Sequence, residues 1–182
     1  MKRIIPFCLL IAIIACKSEY RKAAEDIAAN LPDTKSLNVG KRGYSMYVPA
    51  GWTTHREQHY GIDYYFLSAP KTQEDPNTNI NVITESMRHL TLEEFTRKAQ
   101  EGLLRAIPSA IIHNQGNITA NGVNGAWYKY SMTPRGIDVT LIAYIFPKDS
   151  VAYIITAGTQ TKDADNYRQT FDKVARSFKF DK

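Results

Sequence analysis

Apolar residues in this chain alternate with polar ones through most of its length and switch to helical spacing twice. Tyr44, Met46 and Val48 alternate with Gly43, Ser45 and Tyr47, and Pro49-Ala50-Gly51 closes the run. Tyr64-Tyr65-Phe66-Leu67 is a short apolar strand ending before Pro70, and a polar loop runs from Lys71 to Thr78. Ile80, Val82 and Thr84 alternate again. Ile111, Ile112 and Ile118 mark a further strand with a break expected at Gln115-Gly116. The turn residues Asn121 to Gly125 lead into Ala126 to Met132. Pro134-Arg135-Gly136 precedes the alternation Ile137, Val139, Leu141, Ala143, Ile145. Pro147 to Ser150 precedes Val151, Tyr153, Ile155 and Ala157. Strands joined by tight turns predict an antiparallel meander.

The two helical stretches are equally plain. Thr91 and Glu94 have the spacing of a capping box, with Leu90 and Phe95 placed as a hydrophobic staple. Leu92, Phe95, Ala99 and Leu103 then share a face, and Pro108 follows the end. A second helix is predicted over about residues 163–177, where Tyr167, Phe171, Val174 and Phe178 form one stripe. Asp163 and Asp165 stand where capping and the helix dipole favour carboxylates. Two amphipathic helices need a sheet to cover, so the pattern predicts an α+β fold with a twisted antiparallel sheet flanked by helices.

The first residues follow a different pattern. Lys2 and Arg3 precede an apolar run of about a dozen residues, too short for the roughly 20 that span a bilayer. Its exit, Ile13-Ile14-Ala15-Cys16, resembles the bacterial lipobox. That resemblance implies a lipoprotein signal peptide over residues 1–15, cleavage before Cys16, and lipid on the Cys16 thiol. Two or three acyl chains hold a protein stably where one does not. Lys17 rather than aspartate follows the cysteine, which favours the outer over the inner membrane. Residues 16–41 are expected to be a lipidated tether, with the folded domain at 42–182.

This reading settles the cysteines: Cys8 leaves with the signal and Cys16 becomes a thioether, so a CxxC redox site or Cys-rich metal site is excluded. Loss of Lys2 and Arg3 lowers the formal net charge from +5 to +3, and the charges are interspersed. Nothing resembles a phosphate-tracking basic run, so no nucleic-acid partner is expected.

The order of local motifs resembles the PsbP/DcrB-like superfamily over roughly residues 42–180. The motifs are the strand ending Pro49-Ala50-Gly51-Trp52, the helix opening Leu90-Thr91-Leu92-Glu93-Glu94-Phe95, and the glycine-bearing hairpin before Trp127-Tyr128. The closing helix ends Ser177-Phe178-Lys179-Phe180. The resemblance implies an α/β/α sandwich, a role in binding other proteins rather than catalysis, and no shared catalytic motif. Fold alone does not fix a function.

Candidate chemistry is sparse. His55 and His59 stand four apart, which on a helix could serve one metal, with His89 and His113 as further imidazoles. The segment follows a turn motif, so strand or loop is expected, and no metal or cofactor is assigned. Asp75 to Ser86 lacks the glycine and the closing glutamate of a calcium loop, and a solvated loop is expected there. No nucleophile elbow or phosphate loop is present. Tyrosine is abundant at 11 residues. Tyr60, Tyr64, Tyr65, Tyr128 and Tyr130 are the candidate partner or ligand contacts, although core filling accounts for most such aromatics, and Trp52 and Trp127 are structural. The leading expectation is a membrane-anchored, non-catalytic envelope module that binds another protein. A small-ligand or lipid carrier and a metal-dependent hydrolase are the alternatives.

Overall fold

The computed structural model describes residues 43–181, apart from Tyr60 and Pro76. The lipobox, Cys16 and the tether lie outside the described residues. The elements are β1 (Tyr44–Ser45), β2 (Thr53–His59), β3 (Ile62–Ser68), β4 (Asn79–Ser86), α1 (Leu92–Ala106), β5 (Ile111–Ala120), β6 (Val123–Met132), β7 (Val139–Lys148), β8 (Val151–Gln160), α2 (Ala164–Ser177) and β9 (Lys179–Phe180).

Seven strands form one sheet in the order β2-β3-β4-β8-β7-β6-β5, with every neighbouring pair antiparallel. The helix α1 carries the chain from β4 to the far edge at β5, and the meander β5 to β8 then returns to lie beside β4. β1 and β9 form a separate two-stranded ribbon.

Each face of the sheet carries its own core. Phe95, Ala99 and Leu103 of α1 pack on Tyr64, Phe66, Leu141, Ile145 and Ile154. Phe171, Val174 and Ala175 of α2, with Phe178, pack on Leu67, Val82, Tyr144, Phe146 and Ile155. The fold is therefore a three-layer α/β/α sandwich. The interior strand β7 is buried on both faces, so its inner sequence is a continuous apolar run rather than a strict alternation.

The α1 capping box forms as its spacing predicts. The Thr91 hydroxyl accepts from the Glu94 N–H at 3.2 Å, and the Glu94 carboxylate accepts from the Thr91 N–H at 2.9 Å. These bonds hold the Glu94 carboxyl below its ordinary pKa.

Four local expectations are corrected. Asp163 does not cap α2: its backbone is already helical, at φ −103° and ψ 0°, because a 3-10 turn, Thr161–Asp163, runs into the helix. A capping side chain needs extended backbone to reach the next turn. β5 runs unbroken through Gln115-Gly116, and its irregularity is a bulge between Ile112 and Asn114. The bulge inverts the side-chain parity, so Ile112 packs towards α1 while Ile118 packs towards α2. The first strand is two residues long rather than continuing to Val48. Asp75 is buried rather than solvated, for the reason given below.

Candidate functional site

A broad concavity lies on the α2 side of the sheet, between the edge strand β2 and the β1–β9 ribbon. It is an open groove of about 730 Å³, with Met46, Val48, Trp52, Arg56, Tyr65 and Asp181 among its lining residues. It exists because α2 and the ribbon cover only part of that face.

The groove wall is built from the Pro-x-Gly-Trp motif. The Trp52 N–H donates to the Pro49 carbonyl at 3.1 Å, closing a turn in which Gly51 has φ 79°. A type II turn demands that left-handed conformation at its third position, which glycine adopts without strain. The turn swings Trp52 onto the edge of the Tyr167 ring, with centroids 6.2 Å apart and planes at 71°.

Tyr167 is itself fixed from behind. Its hydroxyl donates to Asp75 Oδ2 at 2.8 Å, while Asp75 Oδ1 accepts from the Thr78 N–H at 3.1 Å and its hydroxyl at 2.7 Å. Thr78 Oγ1 lies 2.6 Å from Thr159 Oγ1 of β8. The polar loop before β4 is thus clasped to the sheet and to α2, which is why Asp75 is buried. Burial, then the hydrogen bond to Asp75, push the Tyr167 phenol up to about 12. Tyr144 makes a parallel contact, donating to Asp172 Oδ1 at 2.6 Å, while Arg168 Nε donates to Asp172 Oδ2 at 3.0 Å.

The candidate tyrosines separate cleanly. Tyr64, Tyr128 and Tyr130 are 5%, 1% and 2% exposed within the α1-side core, so they contribute packing rather than a contact surface. Tyr65 follows Tyr64 on one strand and so points to the other face, where it lines the groove at 9% exposure. Tyr60 and Cys16 lie outside the described residues. His55 and His59 both belong to β2, where four residues of strand separate the Cα atoms by about 13 Å, too far for one metal. The His55 ring stacks on Phe66 at 4.9 Å, and its Nε2 lies 3.1 Å from Glu57 Oε1. Among the described residues, no group of three or more His, Cys, Asp or Glu side chains is placed to hold a metal.

Sequence reasoning missed Met46, Val48, Arg56 and Asp181 as groove residues. The one local signal was the turn motif itself, which marks Trp52 as fixed at a strand edge. The groove mixes apolar side chains, Met46, Val48 and Trp52, with polar ones, including one cation and one carboxylate. Arg56 makes no ion pair among the described residues. Such a surface can hold an extended polypeptide by apolar contact and charge. Among the described residues that line it there is no paired nucleophile and base.

An antiparallel sheet with one helix layer on each face, carrying this groove beside its edge strand, defines a narrow fold class. A model of the PsbP family matches residues 34–180, and the chain belongs to that family. A comparison with curated proteins finds no match. Among solved structures, cyanobacterial PsbP (CyanoP) of Synechocystis is 17% identical with a TM-score of 0.59, over 76% of this chain and 87% of that one. LpqN of Mycobacterium tuberculosis, involved in cell envelope biogenesis, is 13% identical with a TM-score of 0.58, over 79% and 87%. The Ran-binding protein Mog1p of Saccharomyces cerevisiae is 14% identical with a TM-score of 0.53, over 80% and 93%. At these identities the likeness is one of fold. Among the described residues no helix is long and apolar enough to cross a membrane.

Proposed function

We propose that this protein is a non-catalytic binding module of the bacterial cell envelope, held to a membrane, with the outer membrane favoured, by lipid on Cys16 and engaging another protein through the groove. The observation that carries the reading is the groove's form. It is open along its length, runs beside an edge strand, and joins Met46, Val48 and Trp52 to Arg56, which makes no ion pair among the described residues. Exposed edges and flanking apolar sites are how sheets take up extended segments of partners. The more enclosed concavity, beside Asn77, Leu141 and Gly158, has about 20 Å³, room for one water rather than a lipid or metabolite. Mog1p and LpqN lend support as proteins of this fold whose names or roles concern binding and the envelope.

The test is cross-linking and capture from membranes of cells making the full-length protein. Val48→Asp with Arg56→Glu alters the groove at exposed positions, while Leu104→Asp alters an exposed site on α1. The expected result is a reproducible partner lost with the groove variant and kept with the α1 variant. Capture of the same proteins by all three forms, or of none, overturns the reading.

A further inference from the structure

Four cations gather where α2 ends and the chain enters the domain. Lys148, Lys173, Arg176 and Lys179 are all exposed. The Tyr47 N–H donates to Ser177 Oγ at 2.8 Å, and the Lys173 ammonium lies 4.3 Å from the centre of the Tyr47 ring. The Lys148 ammonium lies 4.8 Å from the centre of the Phe180 ring on β9. Asp181 N–H donates to the Gly43 carbonyl at 3.0 Å, which brings the start of the domain to the same place. In the sequence, Lys41 and Arg42 immediately precede Gly43.

These charges are not neutralised locally. Arg97 and Arg105 share Glu101 on α1, and Arg168 is held by Asp172. None of the four rim cations makes an ion pair among the described residues; the carboxylates nearby in sequence are Asp149, Asp172 and Asp181, and both Asp172 oxygens are engaged by Tyr144 and Arg168. The negative end of the α2 dipole is also covered, because the Asn121 amide donates to the carbonyls of Ser177 at 3.1 Å and Phe178 at 2.9 Å. Tyr47 and Val48, 38% and 36% exposed, stand beside the cations as aromatic and apolar contacts.

We propose that this rim rests on anionic phospholipid headgroups, with the C-terminal end of α2 turned to the membrane. The choice of a lipid surface over an acidic protein rests on the proposed anchor at Cys16. Residues 17–42 are the whole connection from that cysteine to the domain, and they join it at this rim. Fully extended, they reach at most about 90 Å, and because they enter the domain at this rim, the rim is the point of the domain tied to the bilayer. Each cation near an anionic leaflet adds attraction that salt screens. Val48 belongs to both rim and groove, so a protein in the groove would sit at headgroup level.

The experiment uses residues 16–182 with Cys16→Ala, which retains both cores and cannot be acylated. It is sedimented with vesicles of phosphatidylcholine alone or mixed with phosphatidylglycerol, at low and high salt. Binding is expected only to the anionic vesicles, and weaker at high salt. Arg176→Glu with Lys179→Glu is expected to weaken it by about ten-fold or more, with an unchanged melting temperature. Lys71→Glu with Lys162→Glu, of equal charge change away from the rim, should weaken it far less. No binding to anionic vesicles, or equal losses in both double variants, overturns the proposal. Because acylation is absent throughout, these results are independent of whether Cys16 is lipidated in cells.

Discussion

Tyr167 connects three parts of the molecule through one side chain. Its ring supports Trp52 in the groove wall, and its hydroxyl holds Asp75 and so the loop before β4. In the folded protein its phenol keeps the proton up to about 12, whereas in an unfolded chain it titrates near 10. A pKa raised on folding means that the stabilisation is complete below the unfolded value and drains as pH rises through the folded one. Stability is therefore expected to fall between about pH 10 and 12, with burial of Tyr144 and partial burial of Tyr153 pushing in the same direction. Tyr167→Phe should flatten the fall without abolishing it, as urea unfolding at a series of pH values would reveal. An equally steep fall in the variant would exclude Tyr167 as a source.

Among the elements, β6 and β7 approach each other more closely than a side chain allows. A Cβ on Gly125 would lie 2.5 Å from the Ile145 carbonyl oxygen and 2.7 Å from Phe146 Cδ1. Neither can give way, because Ile145 is backbone in the middle of the sheet and Phe146 is stacked on Phe178 at 4.9 Å. Gly125→Ala is expected to cost about 1–3 kcal/mol, read from the denaturation midpoint at unchanged slope. The glycine was visible in the sequence as part of a hairpin turn, but the structure places it inside a strand, at a contact no local pattern encodes. β2 was obscured for a related reason. Thr53 to His59 is polar at nearly every position because the strand is an edge, so no alternation marks it, and charge at an edge guards against unwanted pairing. The helices were legible to within a residue or two because an amphipathic stripe and a capping box are properties of consecutive residues.

For the whole molecule, the proposed anchor and the domain are separable. Among the described residues both cores lie between Tyr44 and Phe178, so the proposed attachment at Cys16 would govern where the domain is rather than whether it folds. Cys16→Ala is expected to move the protein from the membrane pellet to the soluble fraction at high salt, where electrostatic adhesion of the rim is screened, with the melting temperature of the domain unchanged. Mass analysis of the wild-type N-terminal peptide should show acyl chains on residue 16; an unmodified cysteine in a membrane-bound protein would sink the lipid reading.

The sequence alone determined what depends on neighbours along the chain. Period-two and helical spacing set the strands and helices, and the ordered motifs at Trp52, Leu90 and Phe178 pointed to the PsbP-like sandwich. Only the tertiary structure decided which aromatics are surface and which are core. Tyr64, Tyr128 and Tyr130 fill the layer beneath α1, whereas Tyr65 reaches the groove, because exposure depends on which face a second layer covers. The groove joins Met46 and Trp52 to Asp181 across nearly the whole domain. It arises where α2 and the β1–β9 ribbon stop short of the sheet's edge, and that boundary is set by how layers pack rather than by any run of residues.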